Sequence, residues 1–411
     1  MDVKRTGYLE ALAQWKDTQV IKVITGIRRC GKSTLLRQYQ EMLASQGVSG
    51  EQIISINFED LLFEELLDYK ALYLHIRSRL QNKVMNYIFL DEIQRVAQFE
   101  KAVDSLFIIE NVDIYITGSS SYMLSGELAT LLSGRYVELF MLPFSFAEYF
   151  NINASESPDT AFSVYLRDGG FPYTCQLKRH QDRIHTYQEG IYNTIIVKDI
   201  EIREQRREAS LQRRKVNDLS LLRDITRFLA SSIGSPISYK SITNYIISSG
   251  RRVSQNTVAD YVEMLREAFV FYPVERFDIA GKQLLKNIQK IYIVDTGLRR
   301  YLLPRKEFDL GYVLENTVFL ELLRRGYHVN IGKLGSAEVD FVARKNDELQ
   351  YIQVTASLAE QTTFEREIKP LRSIHDHYPK CIFTLDRYTT GTYDGIRVVN
   401  VVDWLLGAES H

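Results

Sequence analysis

One stretch limits the fold of this chain more than any other: a glycine-rich turn between a short apolar run and a helical pattern. Residues 26–34 read GIRRCGKST and fit the pattern G-x-x-x-x-G-K-[ST]. The β-branched run before it, residues 19–25, predicts a buried strand, and residues 33–43 have the apolar spacing of a helix. Further short apolar runs alternate with helical patterns as far as residue 117. This alternation predicts an α/β unit with a parallel sheet and flanking helices.

The glycine-rich turn has the chemistry of a phosphate-binding loop. Its glycines let backbone N–H groups close around a β-phosphate, and the N-terminus of the following helix favours negative charge. We expect Lys32 to contact β- and γ-phosphate oxygens and Ser33 to bind Mg²⁺. ATP is therefore the predicted ligand and Mg²⁺ the predicted cofactor. The predicted nucleotide-binding residues are Gly26, Ile27, Arg28, Arg29, Cys30, Gly31, Lys32, Ser33 and Thr34.

A second motif, YIFLDEIQ, places two carboxylates directly after a core strand. The apolar residues 87–90 predict the strand, and Asp91 and Glu92 follow it. Asp91 can hold Mg²⁺, directly or through water, and Glu92 can polarise the attacking water. Asp91 is thus a predicted metal ligand, and Glu92 is the predicted catalytic base.

Two other segments offer catalytic candidates, each with a simple structural alternative. The segment IYITGSSS places Thr117, Ser119 and Ser120 after the next strand, where a hydroxyl can touch the γ-phosphate or the lytic water. A Gly-Ser turn that caps the following helix explains the same residues. In LLSGRYVEL, Arg135 is a candidate for the arginine that stabilises transition-state charge, and a surface arginine at the start of a strand is the alternative. Action of Arg135 across a subunit boundary would require a homo-oligomer.

The motifs together resemble a known family. The chain is similar to prokaryotic AAA-type P-loop ATPases in the segments IKVITGIRRCGKSTLL, FLDEIQ, ITGSSSYMLSGELATLLSGRYVEL and YLRDGGFPYT. The similarity continues through YQEGIYNTIIVKDI and VDTGLRRYL, so it covers nearly the whole chain. The resemblance implies a C-terminal winged helix and a degenerate restriction-endonuclease-like domain of the PD-(D/E)XK type. It also implies the roles given above for Lys32, Ser33, Asp91, Glu92 and Arg135.

The pattern along the chain agrees with that order of domains. We expect an AAA-type P-loop ATPase core at residues 1–155 and a helical lid or connector at residues 156–215. A winged-helix-like domain is expected at residues 216–305, and an inactive PD-(D/E)XK-like domain at residues 306–411. The predicted fold class is α/β: a parallel P-loop sheet with flanking helices, then a helical, winged-helix region and a small restriction-endonuclease-like α/β domain.

Residues 219–294 have the element order of a winged helix, with three helical patterns followed by two strand-like runs. The third helical pattern, Ser254–Phe269, begins with an N-cap serine and would be the helix that reads DNA. Groups suited to phosphate and base-edge contacts lie around its start: Arg251, Arg252, Gln255 and Asn256. Acidic residues that disfavour DNA follow on the same helix: Asp260, Glu263 and Glu267. DNA contact and a protein-protein or structural role both stay open.

The pattern from Tyr312 onward predicts a helix, two strands, a helix and a strand. Asp340 fits the first metal-binding acid of a PD-(D/E)XK nuclease, but Gln353 stands at the second acid and Thr355 at the lysine. Glu315, on the preceding helix, is an additional candidate ligand. A neutral amide binds Mg²⁺ weakly, and a threonine supplies no cation for the transition state. We therefore expect no DNA cleavage with Mg²⁺ or Mn²⁺.

Composition and charge narrow the function class. The formal net charge is −1, so binding to nucleic acid would need a local basic patch. Three scattered cysteines give neither a disulfide framework nor a metal-ligand spacing. Neither a signal peptide nor an apolar run of about 18 residues is visible, and a cytoplasmic protein without membrane contact is expected. The main hypothesis is an ATP-hydrolysing switch on or near DNA. The alternatives are a nucleotide-gated scaffold with a protein partner and an ATP-dependent nuclease.

Overall fold

The computed structural model describes residues 3–118, 132, 134–152, 156–177, 180–194, 218–304 and 309–408, with the side chains of residues 286–288 excepted. The chain divides into two compact units, Met1–Pro143 and Phe144–His411. Each unit is described by itself below.

The N-terminal unit contains a sheet of five parallel strands in the order β2-β3-β4-β1-β5. Every residue of β1, β3 and β4 is buried, as expected for parallel strands with both faces covered. The strands are β1 (Ile21–Thr25), β2 (Ile53–Asn57), β3 (Asn86–Asp91), β4 (Val112–Thr117) and β5 (Tyr136–Phe140).

Helices flank this sheet because they alternate with its strands along the chain. The helix α4 buries an apolar face made by Phe99, Ala102, Val103 and Leu106, which joins the core formed by β1 to β4. The helices of the unit are α1 (Thr6–Gln14), α2 (Lys32–Ser45), α3 (Tyr69–Arg77) and α4 (Phe99–Phe107), with short 3₁₀ turns at Gly50–Gln52, Leu61–Leu67 and Ile93–Arg95.

The C-terminal unit contains a sheet of nine strands in the order β13-β14-β12-β11-β10-β9-β7-β8-β6, with parallel and antiparallel pairs. The strands are β6 (Pro236–Ile237), β7 (Phe271–Asp278), β8 (Gln283–Ile293), β9 (His328–Leu334), β10 (Ala337–Lys345), β11 (Glu348–Thr355), β12 (Lys380–Thr384), β13 (Gly391–Tyr393) and β14 (Ile396–Asn400). The described helices are α5 (Phe146–Ile152), α6 (Pro158–Asp168), α7 (Pro172–Gln176), α8 (Gln181–Tyr192), α9 (Leu219–Ser231), α10 (Tyr239–Ser248), α11 (Gln255–Glu267), α12 (Thr296–Leu302), α13 (Leu310–Arg324), α14 (Gln361–Arg372) and α15 (Val401–Leu406).

The hairpin β7-β8 joins the strands that follow it into one sheet. Strand β7 pairs in parallel with β9, and Arg276 lies opposite Ile331. The sheet therefore runs across the predicted boundary between residues 305 and 306. The four-domain division stays a prediction, and the structure adds that its last two parts share a sheet.

Two glycine-containing segments, YLRDGGFPYT and VDTGLRRYL, meet in the C-terminal unit. The Asp295 carboxylate accepts hydrogen bonds from the backbone N–H of Gly170 (2.7 Å) and Leu298 (2.9 Å). A Cβ on Gly169, whose φ is +83°, would lie 2.2 Å from the same carboxylate, and a Cβ on Gly297 would lie 2.1 Å from the Asp168 carbonyl oxygen. The glycines are needed here because the two backbones approach too closely for a larger residue.

The order of elements after residue 310 corrects one prediction. Helix α13 is followed by three strands, β9, β10 and β11, where the pattern predicted two. Helix α14 is followed by β12, β13, β14 and α15, where the pattern predicted one strand. The missed strand, His328–Leu334, carries Asn330, Gly332 and Lys333 among its apolar residues. The alternation includes only two apolar residues, Val329 and Ile331, before Lys333 ends it, which is too short to identify a strand. Pairing with both β7 and β10 stabilises the strand.

The predicted fold class is confirmed: the chain is α/β, with a parallel sheet and flanking helices followed by an additional mixed sheet. The region from α9 to β8 has the predicted order of helices and strands, with the short strand β6 inserted before α10. Within the described part of the chain, no helix combines the length and apolarity that a membrane crossing needs.

Candidate functional sites

The strand order brings three predicted segments to one edge of the N-terminal sheet. Strands β1, β4 and β3 are neighbours and parallel, so their carboxyl ends meet. Those ends are Thr25, Thr117 and Asp91. The glycine-rich loop, residues 26–31, leaves this edge after Thr25 and leads into α2. The edge is the usual ligand side of an open parallel sheet.

The glycines of the loop are required by its backbone path. Gly26 has φ +138°, and a Cβ there would lie 2.1 Å from the carbonyl oxygen of Met141. Gly31, directly before α2, has φ +104°. Only glycine adopts these conformations at little cost. Between them, Ile27 and Cys30 are fully buried, whereas Arg29 is exposed and Arg28 pairs with Glu59 at 2.7 Å.

Lys32 begins helix α2, and its ammonium group points back into the loop. It donates hydrogen bonds to the carbonyl oxygens of Gly26 (3.1 Å) and Ile27 (3.2 Å). The residue is 4% exposed. Both of these hydrogen-bond partners are neutral carbonyl groups. Ser33 and Thr34 follow in the first turn of the helix.

Asp91 connects the three segments through hydroxyl groups. Thr117, at the end of β4, donates its hydroxyl proton to the Asp91 carboxylate, and the Ser33 hydroxyl also hydrogen-bonds Asp91. Burial raises the pKa of Asp91, and these two hydrogen bonds oppose the rise. A carboxylate and a hydroxyl are hard oxygen donors, and they fit Mg²⁺.

Glu92 follows Asp91 in an unusual backbone conformation. Its φ is +57° and ψ +44°, in the left-handed region that residues other than glycine adopt at a cost of about 1–2 kcal/mol. Its backbone N–H donates to the Thr117 hydroxyl oxygen at 2.9 Å, and its carboxylate accepts from the Gln94 amide. One hydroxyl, that of Thr117, therefore binds both Asp91 and the backbone of Glu92. Such backbone strain clusters at functional sites.

Arg5 is a site residue that the sequence analysis missed. Its guanidinium group donates to the carbonyl oxygens of Cys30 (3.2 Å) and Leu142 (3.1 Å), and it lies over the Tyr8 ring. The side chain is buried, and it ties the phosphate loop to the segment after β5. Its separation of 25 residues from Cys30 leaves no local sequence signal.

One predicted catalytic residue, Arg135, is not brought to this site. Arg135 precedes β5 next to Ile21, whose N–H donates to the Arg135 carbonyl oxygen, so it lies at the amino edge of the sheet. The phosphate loop leaves the opposite, carboxyl edge. Within one chain, therefore, Arg135 does not reach the loop, and its action across a subunit boundary stays a prediction. Ser119 and Ser120 lie outside the described residues.

The predicted DNA-reading helix begins as expected, but one of its basic residues is engaged elsewhere. The Ser254 hydroxyl caps α11 by accepting a hydrogen bond from the Thr257 N–H. Arg251 pairs with Asp218 at 3.0 Å and with Asp224 at 3.2 Å. Residues exposed near the helix start are Arg252, Gln255 and Asn256.

The acidic positions of the C-terminal unit also lie close together. Asp340 on β10 accepts a hydrogen bond from the Val354 N–H (2.9 Å), and its own N–H donates to the Gln353 side chain (3.3 Å). The Gln353 amide donates in turn to the Glu367 carboxylate at 2.9 Å. The Thr355 hydroxyl donates to the Ser357 carbonyl. Gln353 and Thr355 therefore have structural partners of their own.

The sequence of this chain matches two family models and is similar to two relatives. A family model described as an AAA domain matches residues 18–150, and a model of a domain of unknown function matches residues 159–309. An uncharacterized protein of Haemophilus influenzae is 40% identical over 411 residues, 98% of each chain. An uncharacterized protein of Methanocaldococcus jannaschii is 31% identical over 369 residues, 85% of this chain and 77% of that protein.

A comparison of structures finds a Walker-type ATPase of Pyrococcus abyssi. The two are 18% identical, with a TM-score of 0.48, and the match covers 73% of this chain and 95% of that one.

Proposed function

The chain belongs to the same family as these proteins of H. influenzae and M. jannaschii, and we propose that its AAA domain binds ATP with Mg²⁺ and hydrolyses it. The observation that carries the proposal is the Thr117 hydroxyl, which joins the Asp91 carboxylate and the Glu92 backbone beside the phosphate loop. A purely structural loop would need no such junction between the ends of β3 and β4. The proposal rests on the chemistry of these side chains.

Each residue then has a distinct role. Lys32 would exchange its two carbonyl partners for β- and γ-phosphate oxygens, a charge-assisted and therefore stronger interaction. Ser33 and Asp91 would hold the metal ion, which when bound supplies positive charge to the phosphates. Glu92 would accept a proton from the attacking water, and Thr117 would orient both acidic residues.

The direct test is phosphate release by the purified protein. We expect ATP turnover that stops when EDTA removes the divalent cation and that resumes with added Mg²⁺. Nucleotide binding should be measured in parallel by titration with a non-hydrolysable ATP analogue. A protein that neither binds the analogue nor releases phosphate would contradict the proposal.

We further propose that ATP turnover drives a switch that acts on or near DNA. The support is a helix order of the winged-helix type together with the exposed Arg252, Gln255 and Asn256 at the start of α11. Binding should weaken as salt rises, because phosphate contacts release counterions. Arg252→Gln should weaken binding to duplex DNA, while Arg344→Gln, whose arginine stacks on Phe277, should not.

A protein partner is the second candidate, and one observation favours it. Arg251 is neutralised by Asp218 and Asp224, and Arg266 by Glu263, so this surface offers less positive charge than its composition implies. If the protein does not bind DNA at any salt concentration, and if DNA does not stimulate ATP turnover, the nucleotide-gated scaffold is favoured.

A further inference from the structure

A buried lysine lies at the centre of the acidic cluster in the C-terminal unit. Lys290 is on β8, the second strand of the hairpin that joins the C-terminal strands. Its ammonium nitrogen is 2.8 Å from a carboxylate oxygen of Glu338, 3.0 Å from one of Glu315 and 3.6 Å from one of Asp340. Three carboxylates from two elements, α13 and β10, thus converge on one cation.

The surroundings hold this arrangement in place. The Glu315 oxygen that binds Lys290 also accepts a hydrogen bond from the Tyr292 hydroxyl at 2.6 Å. Asp340 is fixed through its second oxygen by the Val354 N–H. Lys290 and Glu315 are almost fully buried, whereas the Glu338 side chain is 31% exposed. The cluster is therefore buried at Lys290 and Glu315 and open to solvent at Glu338.

The charges of Lys290 and of the three acidic residues act on one another. Burial alone would lower the pKa of Lys290, but the carboxylates of Glu315, Asp340 and Glu338 raise it above its ordinary value. Burial and the neighbouring Glu315 raise the pKa of Asp340, and the Lys290 ammonium group opposes this rise. Without the ammonium group, buried carboxylates would face one another with nothing to offset their charge.

We propose that the Lys290 ammonium group takes the place of a divalent metal ion among Glu315, Glu338 and Asp340, so that this cluster is a metal site closed by a side chain. The sequence predicted a cluster that lacked a lysine, and the fold supplies one from a different strand. Carboxylate oxygens bind Ca²⁺ at about 2.3–2.6 Å, so a modest inward shift of these carboxylates would suit a metal.

Among the described residues, no group of three or more His, Cys, Asp and Glu side chains is arranged to hold a metal ion, so the three carboxylates do not form a metal site as they stand. With Lys290 in place, the cluster binds the hairpin β7-β8 to α13 and β10 without an ion. Its role would be to hold these elements together, with no cation available for hydrolysis of a phosphodiester.

Removal of the ammonium group should open the site. Lys290→Met keeps an unbranched side chain, one atom shorter and without charge, and leaves the carboxylates to bind Ca²⁺ or Mn²⁺. We expect the melting temperature of this variant to rise by about 5–10 °C at Mn²⁺ concentrations about 100-fold above its dissociation constant. The measurement uses the full chain without nucleotide, and wild type provides the background from any other cation site.

Three further variants act as controls. Lys345→Met removes an exposed lysine from β10 and should behave as wild type does. Lys290→Arg keeps a cation in the cluster and should show no added metal response. In Lys290→Met combined with Asp340→Asn, the metal response should fall, because one carboxylate ligand is lost.

Several results would overturn the proposal. One is a Lys290→Met variant with no metal response beyond that of wild type. Another is Mn²⁺ binding by the wild-type protein that is lost in the Asp340→Asn variant. A third is metal-dependent DNA cleavage by wild type that disappears in Lys290→Met, which would make Lys290 catalytic. If Lys290→Met does not fold alone, refolding only with Mn²⁺ or Ca²⁺ supports the proposal, and failure with every cation contradicts it.

Discussion

Lys32 of the N-terminal unit and Lys290 of the C-terminal unit are equally buried, each 4% exposed, yet their partners differ in kind. Lys32 donates to two backbone carbonyl oxygens, Gly26 and Ile27. Lys290 lies among three carboxylates. Carbonyl partners are neutral, so the phosphate of the proposed nucleotide would compete with them successfully. Carboxylate partners already neutralise the ammonium group and hold it.

The contrast teaches that a lysine beside acidic residues is not sufficient to identify a reactive site. In the N-terminal unit the acidic pair, Asp91 and Glu92, is held by the hydroxyls of Thr117 and Ser33 and leaves Lys32 to the ligand. In the C-terminal unit the lysine itself binds the acids. The first arrangement suits exchange of partners, and the second suits stability.

The largest expected effect tests whether the acidic pair of the N-terminal unit is reactive. Glu92→Gln keeps the side-chain shape but loses the base, so ATP turnover should fall about 10²–10⁴-fold while ATP binding is retained. Steady-state phosphate release and an ATP titration measure the two quantities. Glu110→Gln, an exposed position in the same unit, is the matched control. Wild-type turnover by Glu92→Gln would assign the base elsewhere.

The next effect compares the two lysines by stability. Lys290→Met should lower the free energy of unfolding of the C-terminal unit by about 3–5 kcal/mol, because it leaves buried carboxylates unpaired. Lys32→Met should lower that of the N-terminal unit by only about 1 kcal/mol, because its partners are neutral. Denaturant unfolding without metal or nucleotide measures both. Equal losses of unfolding free energy in the two variants would contradict the expected difference between neutral and charged partners.

A third prediction concerns the ligand that Lys32 awaits. Lys32→Ala removes the cation aimed at the phosphates and should weaken ATP binding about 10–100-fold, as expected for a hydrogen bond to a charged group. Isothermal titration measures the affinity. Lys290→Arg, which keeps its cluster charged, should bind ATP as wild type does. Unchanged affinity in Lys32→Ala would refute the assignment of the phosphate loop.

The smallest effect tests the junction between the strands. Thr117→Val removes the hydroxyl that binds Asp91 and the Glu92 N–H, and turnover should fall about tenfold, within the range expected for the loss of its two hydrogen bonds. Thr117→Ser keeps the hydroxyl and should restore most of the rate. Comparison of turnover numbers at saturating ATP isolates this step from binding. A Thr117→Val enzyme with the wild-type rate would remove Thr117 from the site.

Much of the N-terminal unit could be predicted from local pattern. The strand predicted at residues 87–90 is β3, Asn86–Asp91, and the helix predicted at 33–43 is α2, Lys32–Ser45. Contiguous buried strands carry an apolar signal that survives without knowledge of their neighbours. Strand β9 was missed because its polar residues hide that signal and its pairing partners stabilise it.

The sequence by itself determined the glycine-rich loop before α2, the acidic pair at the end of β3 and the α/β class, because each depends on residues adjacent along the chain. Tertiary structure alone decided that Thr117 joins Asp91 to Glu92, that Arg5 reaches Cys30 and that Arg135 lies at the far edge of its sheet. It also brought Lys290 to Glu315, 25 residues away, and to Asp340. Hydrogen bonds and ion pairs act over a few ångströms of space whatever the separation along the chain, so strand order determines which groups meet.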